Sequence, residues 1–178
     1  MISGPALLGA LLYAATGTAV CTDLKTCPQF SHLKTGDCQT YHHFLARGSL
    51  SPYPGHVIET VGKICDALNT EENPRACGYE DVLYRAETGG EKRCISSHEG
   101  ALNGAAQMKS YSEKCPDSHL ILVGFSQGAG VLLDVLGGGG GEIWGCKQKA
   151  NPGMNITSVP GSKGTSTCSP PLVLHRLY

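Results

Sequence analysis

The sequence predicts an α/β protein built on a mostly parallel sheet with helices on both faces. Three observations carry that prediction. Segments of β-forming residues alternate with segments of helical period, which is the pattern of strand–helix–strand units. An aliphatic run, His119 to Gly124, leads straight into Gly124-Phe125-Ser126-Gln127-Gly128. The residues after that motif, Ala129, Val131, Leu132, Leu133, Val135 and Leu136, continue as a helix with an apolar side.

In chain order, residues 20–37 carry Cys21 and Cys27 without a clear period and read as a lead-in or partly ordered segment. Thr40 to Ala46 is rich in β-formers and makes a first core strand, closed by the loop Arg47-Gly48-Ser49 with Pro52 and Pro54 behind it. Val57, Ile58, Val61, Ile64, Cys65 and Leu68 recur at spacings near three and four, so 55–68 is a helix with one buried side. Tyr79 to Arg85 reads as a second, more polar strand, and Ser97 to Cys115 as a long helix with Ala101, Leu102, Ala105, Ala106, Met108 and Tyr111 facing the sheet. Five glycines at 137–141 suggest a flexible joint, and from Cys146 to Leu172 neither period is visible.

Composition narrows the setting. The 178 residues carry a formal charge of −1 and no charge run, which gives no basis for nucleic-acid or acidic-membrane binding. Residues 1–19 read as a secretion signal: an apolar block from Ala6 to Ala15, too short to span a bilayer, then small residues up to Ala19. No later segment offers an anchor. Nine cysteines without any Cys-x-x-Cys fit disulfides in an oxidising compartment and argue against a metal centre. Their odd number leaves one sulfur without an internal partner, and Cys168 is the candidate. Asn155-Ile156-Thr157 is an N-glycosylation sequon, a mark of an extracellular glycoprotein.

Gly-x-Ser-x-Gly between a buried strand and a helix is the form of a nucleophile elbow, in which Ser126 is held clear of the sheet on a turn too tight for bulky neighbours. Gly124, Gly128, Ala129 and Gly130 are the residues expected to make that room. The competing reading is a glycine turn with an incidental serine, and the flanking strand and helix favour the elbow. A serine hydroxyl needs a base to take its proton and fixed donors for the oxyanion. The backbone N–H of Gln127 supplies one donor by position, as the first residue of the helix.

These residues resemble the cutinase and acetylxylan esterase family of secreted serine esterases. The resemblance rests on Ala46-Arg47-Gly48-Ser49 after the first strand, the helix at 55–68, Cys115-Pro116-Asp117 before the nucleophile strand, and the Ser126 motif, and it spans roughly Cys38 to Gly164. It implies a cutinase-like three-layer α/β/α sandwich and hydrolysis of exposed esters without a cofactor, on a substrate such as cutin or acetylated xylan. It also implies a monomer, Ser126 as nucleophile, and Ser49 with Gln127 as the oxyanion hole. Cys38 and Cys115 each lie eleven positions before their serine, at the same end of neighbouring strands, so a bridge between them is geometrically plausible, and it also matches the family. Cys77 with Cys94 is the expected second pair.

On this reading residues 38–164 are an incomplete cutinase-like catalytic domain lacking the last core strand and helix, and 165–178 are a divergent tail. The family's catalytic Asp and His have no counterpart. After Ser126 the only acids are Asp134 and Glu142. Asp134 lies about 12 Å along the helix and is expected to point away from the elbow mouth. His175, the only downstream histidine, would have to fold back to act as base, and a solvated histidine in a frayed terminus is the stronger reading. His42 and His43 leave a strand on opposite faces and cannot form one site, while His56, His98 and His119 are expected at element ends or on the surface. Two functions follow: a secreted carboxylic-ester hydrolase acting through a serine acyl-enzyme, or an impaired or inactive truncated relative that only binds ester or cell-wall polymer.

Overall fold

The computed structural model describes residues 27–154. The signal segment, the Asn155 sequon, Cys168, His175 and the tail at 165–178 lie outside the described residues.

Strand β1 (Tyr41–Ala46) is the centre of a three-stranded parallel sheet in the order β2-β1-β3, with β2 at Cys77–Asp81 and β3 at His119–Gly124. Residues of β1 alternate between two cores, as a strand covered on both faces requires. Phe44 and Ala46 pack with Met108 and Tyr111 of helix α2 (Gly90–Lys114) and with Val131 and Val135 of helix α3 (Gln127–Gly137). Leu45 packs on the other face with Ile58, Val61 and Cys65 of helix α1 (Ile58–Leu68). The result is a three-layer α/β/α arrangement. Because the helix after β1 covers one face and the helix after β3 the other, the chain diverges between these strands, which opens a crevice at their carboxyl ends.

The differences from the sequence reading have local causes. The lead-in is part of the core: Pro28–Leu33 form a 3-10 helix, Leu33 is buried, and Phe30 packs where Gly62 of α1 leaves no side chain in its way. β2 starts at Cys77 and stops at Asp81, because its pairing with β1 ends at Leu45↔Asp81. Helix α2 begins at Gly90 rather than Ser97, its first turns being too polar to show an apolar period. The glycine run is a defined turn, with Gly138, Gly139, Gly140 and Gly141 all at positive φ, a path open to residues without a Cβ. It leads into an antiparallel hairpin, β4 (Gly141–Ile143) and β5 (Cys146–Gln148), whose strands are too short to reveal periodicity. Among the described residues β3 pairs only with β1, leaving half-exposed Leu120 and Ile121 on a strand with one unpaired edge.

Disulfides join Cys38 to Cys115, Cys65 to Cys77 and Cys94 to Cys146, and Cys27 is disulfide-bonded as well. The expected Cys77–Cys94 pair is therefore wrong. Cys77 belongs to the core shared with α1, where it meets Cys65, whereas Cys94 sits on α2 across the sheet.

His42 and His43 are both buried in the sheet. His42 stacks on Tyr111 with ring centroids 3.7 Å apart, its Nδ1 is 2.8 Å from Gln39 Oε1, and its Nε2 lies 3.9 Å from the Glu80 carboxylate. Burial, then the neighbouring His43 and Lys114, pull its pKa down to about 3. Burial lowers His43 too, against the hydrogen bond to the Gly78 carbonyl. Both rings charge more readily in the unfolded chain, so their contribution is complete above the unfolded pKa near 6.5 and is lost as pH falls. His42 should remove about 1 to 1.5 kcal/mol between pH 7.5 and 5.5, and His43 acts in the same direction. Glu80 and Asp81, raised by burial, act in the opposite sense at lower pH. Urea unfolding of the wild type and of His42→Phe checks this: the variant should lose the His42 part, about 1 kcal/mol of the change between these pH values, and an unchanged dependence would refute it.

Candidate active site

Ser126 sits between the end of β3 and the start of α3 with φ 53° and ψ −117°, in the half of backbone space that L side chains rarely occupy, and its side chain is exposed. Two glycines make the bend sterically feasible. A Cβ on Gly124 would stand 2.8 Å from the backbone of Gly128 and Ala129, and one on Gly128 would collide with the Ala46 carbonyl and stand 2.6 Å from the Arg47 carbonyl oxygen. Gly130 has open space around it, so the expectation that it too is needed for the bend is not met.

Ser49 follows β1 on the adjacent loop. Its hydroxyl donates to Gln127 Oε1 at 2.8 Å, and the Gln127 amide in turn donates to Ser97 Oγ at 3.1 Å and to the Arg93 carbonyl at 3.4 Å. The buried Gln127 side chain thus ties the Ser49 loop to α2, a role its position in the motif did not reveal. Beneath that loop lies Arg47, whose Nη2 donates to the Tyr84 carbonyl at 2.7 Å and whose guanidinium lies 3.9 Å over the Tyr53 ring. Tyr84 closes the arrangement by donating its hydroxyl to the Arg47 carbonyl. The N–H of Gln127, at the first position of α3, has no carbonyl one turn back within its helix.

Ser126 opens onto a groove of about 650 Å³ whose wall includes Arg93, Ser97, Asp134, Trp144 and Gln148. Asp134 therefore faces the groove, against the expectation. Ser126, Gly130 and Asp134 are four apart, so they rise along one side of α3, and that side is the open one. Asp134 accepts a hydrogen bond from Gln148 Nε2 at 2.6 Å. Burial pushes its pKa up, while that bond and the charge of His98 pull it down.

Among the described residues no histidine lines this groove. His56 lies edge-on to Phe125 at 4.1 Å, and His119 stacks on Tyr41 at the amino end of β3, the end remote from Ser126. His98 is not at an element end: it is half-buried within α2, with a buried Nδ1 lacking a hydrogen-bond partner. His43, Cys65 and Cys77 bring three potential metal-ligand atoms together, but both sulfurs are committed to a disulfide.

A sequence model of the cutinase family matches residues 37–168. The chain is 34% identical over 104 residues to an acetylxylan esterase of Hypocrea jecorina, covering 55% of this chain and 34% of that protein. It is 33% identical over 129 residues to cutinase 11 of Verticillium dahliae, covering 68% and 38%. It thus spans little more than a third of the length of these relatives. An acetylxylan esterase structure at 0.90 Å superposes with a TM-score of 0.50 at 28% identity, over 58% of this chain and 50% of that one. That solved fold agrees with the parallel sheet and flanking helices described above.

Proposed function

The chain belongs to the cutinase family, and from that premise we propose that it hydrolyses carboxylic esters through Ser126. The carrying observation is an exposed serine on a strained strand-to-helix bend, beside the Ser49 loop. In the reaction, Ser126 Oγ bonds to the ester carbonyl carbon and its proton passes to a base. The carbonyl oxygen becomes an oxyanion that accepts from the Gln127 N–H and from Ser49, the carbon–alkoxide bond breaks, and the alcohol leaves carrying a proton. Water then cleaves the acyl-serine. Ser49 must give up its bond to Gln127 Oε1 to reach the oxyanion, which makes that hydroxyl a switchable donor rather than a free one.

The relatives point to cutin or acetylated xylan as the ester source. The disulfides support an extracellular setting, and the same reading has the chain act as a monomer without a cofactor. No helix among the described residues is long and apolar enough to cross a membrane.

One observation favours a second reading, a catalytically impaired relative that binds ester or polymer: the groove holds Ser126 and Asp134 but no histidine among the described residues. Both readings meet in one experiment. Incubation with a fluorophosphonate should place one adduct on Ser126, absent from Ser126→Ala, and 4-nitrophenyl acetate turnover should fall at least about tenfold in that variant. Turnover equal in both proteins, with no adduct, would remove the hydrolase reading and leave the binding one.

A further inference from the structure

The tip of the β4–β5 hairpin combines three features that a structural turn alone does not explain. Trp144 is 73% exposed and lines the Ser126 groove. It occupies φ 56° in a two-residue turn with Gly145 at φ 75°. Such a turn needs positive φ at both positions and favours Asn-Gly, so a bulky indole at the first position runs against the backbone's preference. Despite that, the ring is held in place from behind: the Arg93 guanidinium lies 4.4 Å over one face, and the next α2 residue, Cys94, is disulfide-bonded to Cys146 at the start of β5.

A large aromatic fixed by a cation on one side and open to water on the other is a preformed platform. Fixing it in advance lowers the ordering cost of binding a flat ligand. The electron-rich open face suits the C–H-bearing face of a sugar ring, whose hydrogens carry partial positive charge. The groove next to it carries the Asp134 carboxylate and the Gln148 amide, bonded to each other and with further capacity for sugar hydroxyls, beside the apolar Leu133 and Ile143.

We propose that Trp144 is a specificity-determining residue that stacks on a pyranose ring of an acylated oligosaccharide, presenting that sugar's ester to Ser126. This rests on the hydrolase reading for the ester step, but the sugar-binding claim does not need turnover. Trp144 is the only tryptophan in the chain, so its fluorescence reports the platform directly.

In the Ser126→Ala protein, titration with xylohexaose should give a saturable shift in tryptophan emission. Trp144→Asn installs the favoured Asn-Gly turn, so its hairpin is expected to form, checked by intact Cys94–Cys146 in a mass map. Its calorimetric affinity for xylohexaose should fall about tenfold. With Ser126 present, its loss in kcat/KM should be at least about fivefold greater for acetylated xylo-oligosaccharide than for 4-nitrophenyl acetate and should appear in KM. No emission change with xylohexaose, or a change with dodecanoate alone, overturns the proposal. Binding without turnover removes the hydrolase reading and leaves this one, whereas Ser126-dependent turnover indifferent to xylohexaose does the reverse.

Discussion

Gly128→Ala is expected to give almost no folded, active protein. The added methyl would enter the space of the Ala46 carbonyl, with the Ala46 carbonyl carbon at 2.5 Å and the Arg47 carbonyl oxygen at 2.6 Å. These obstacles are backbone atoms at the end of the central strand, which cannot rotate away as a side chain would. Relief demands that α3 lift from β1 or that the Arg47–Ser49 loop withdraw, and either movement pulls Ser49 from Gln127 and breaks the bend at Ser126. Backbone overlap of this kind belongs with the severe tail of single substitutions, about 4 to 5 kcal/mol or more. Gly130→Ala is the matched control, because a Cβ there meets nothing within 4 Å and alanine favours a helix. Soluble yield, thermal melting and fluorophosphonate labelling of the pair measure the contrast. A Gly128→Ala protein that melts like wild type would show that the close approach is not real.

The second large effect is expected from Cys38→Ser combined with Cys115→Ser. This bridge closes a separation of 77 residues with the Cα atoms 5.5 Å apart, and it fastens the chain just before β1 to the chain just before β3. In the chain-entropy model its loss costs about 4 to 5 kcal/mol, against about 4 for the 52-residue separation of Cys94–Cys146 and about 3 for the 12-residue one of Cys65–Cys77. The location adds to the number. Among the described residues β3 is held to the sheet by β1 alone, so the elbow depends on one ladder and this covalent tie. Denaturant unfolding of the three serine double variants should rank them in that order. A loss below about 1 kcal/mol for the Cys38–Cys115 pair would mean the unfolded chain is already compact enough to keep these ends together.

The two effects meet at the same place. The register Tyr41↔His119 to Ala46↔Gly124 carries the disulfide at one end and the two serine loops at the other. Loosening the first end should therefore be felt at the second, and fluorophosphonate reactivity of the double variant is expected to fall with its stability.

Much of this was written locally in the chain. The alternation of Phe44 and Ala46 with His43 and Leu45, the helical spacing in α1, and the aliphatic entry to Gly-x-Ser-x-Gly each follow from neighbours a few positions apart, and they fix the parallel sheet and the place of Ser126 within it. What folding alone decided are relations between residues far apart. Whether Cys94 meets Cys77 or Cys146 depends on which side of the sheet α2 covers, and a sequence period cannot express that. The β4–β5 strands, three residues each, carry no period at all and exist through two positive-φ residues and a covalent tie to α2. Asp134 faces the groove because the side of α3 it shares with Ser126 was left uncovered, and Gln127 became a bridge because Ser49 and Ser97 arrived on either side of it. Short-range order is set by backbone preference and apolar spacing, whereas a groove and its hydrogen bonds arise only where separate elements are packed together.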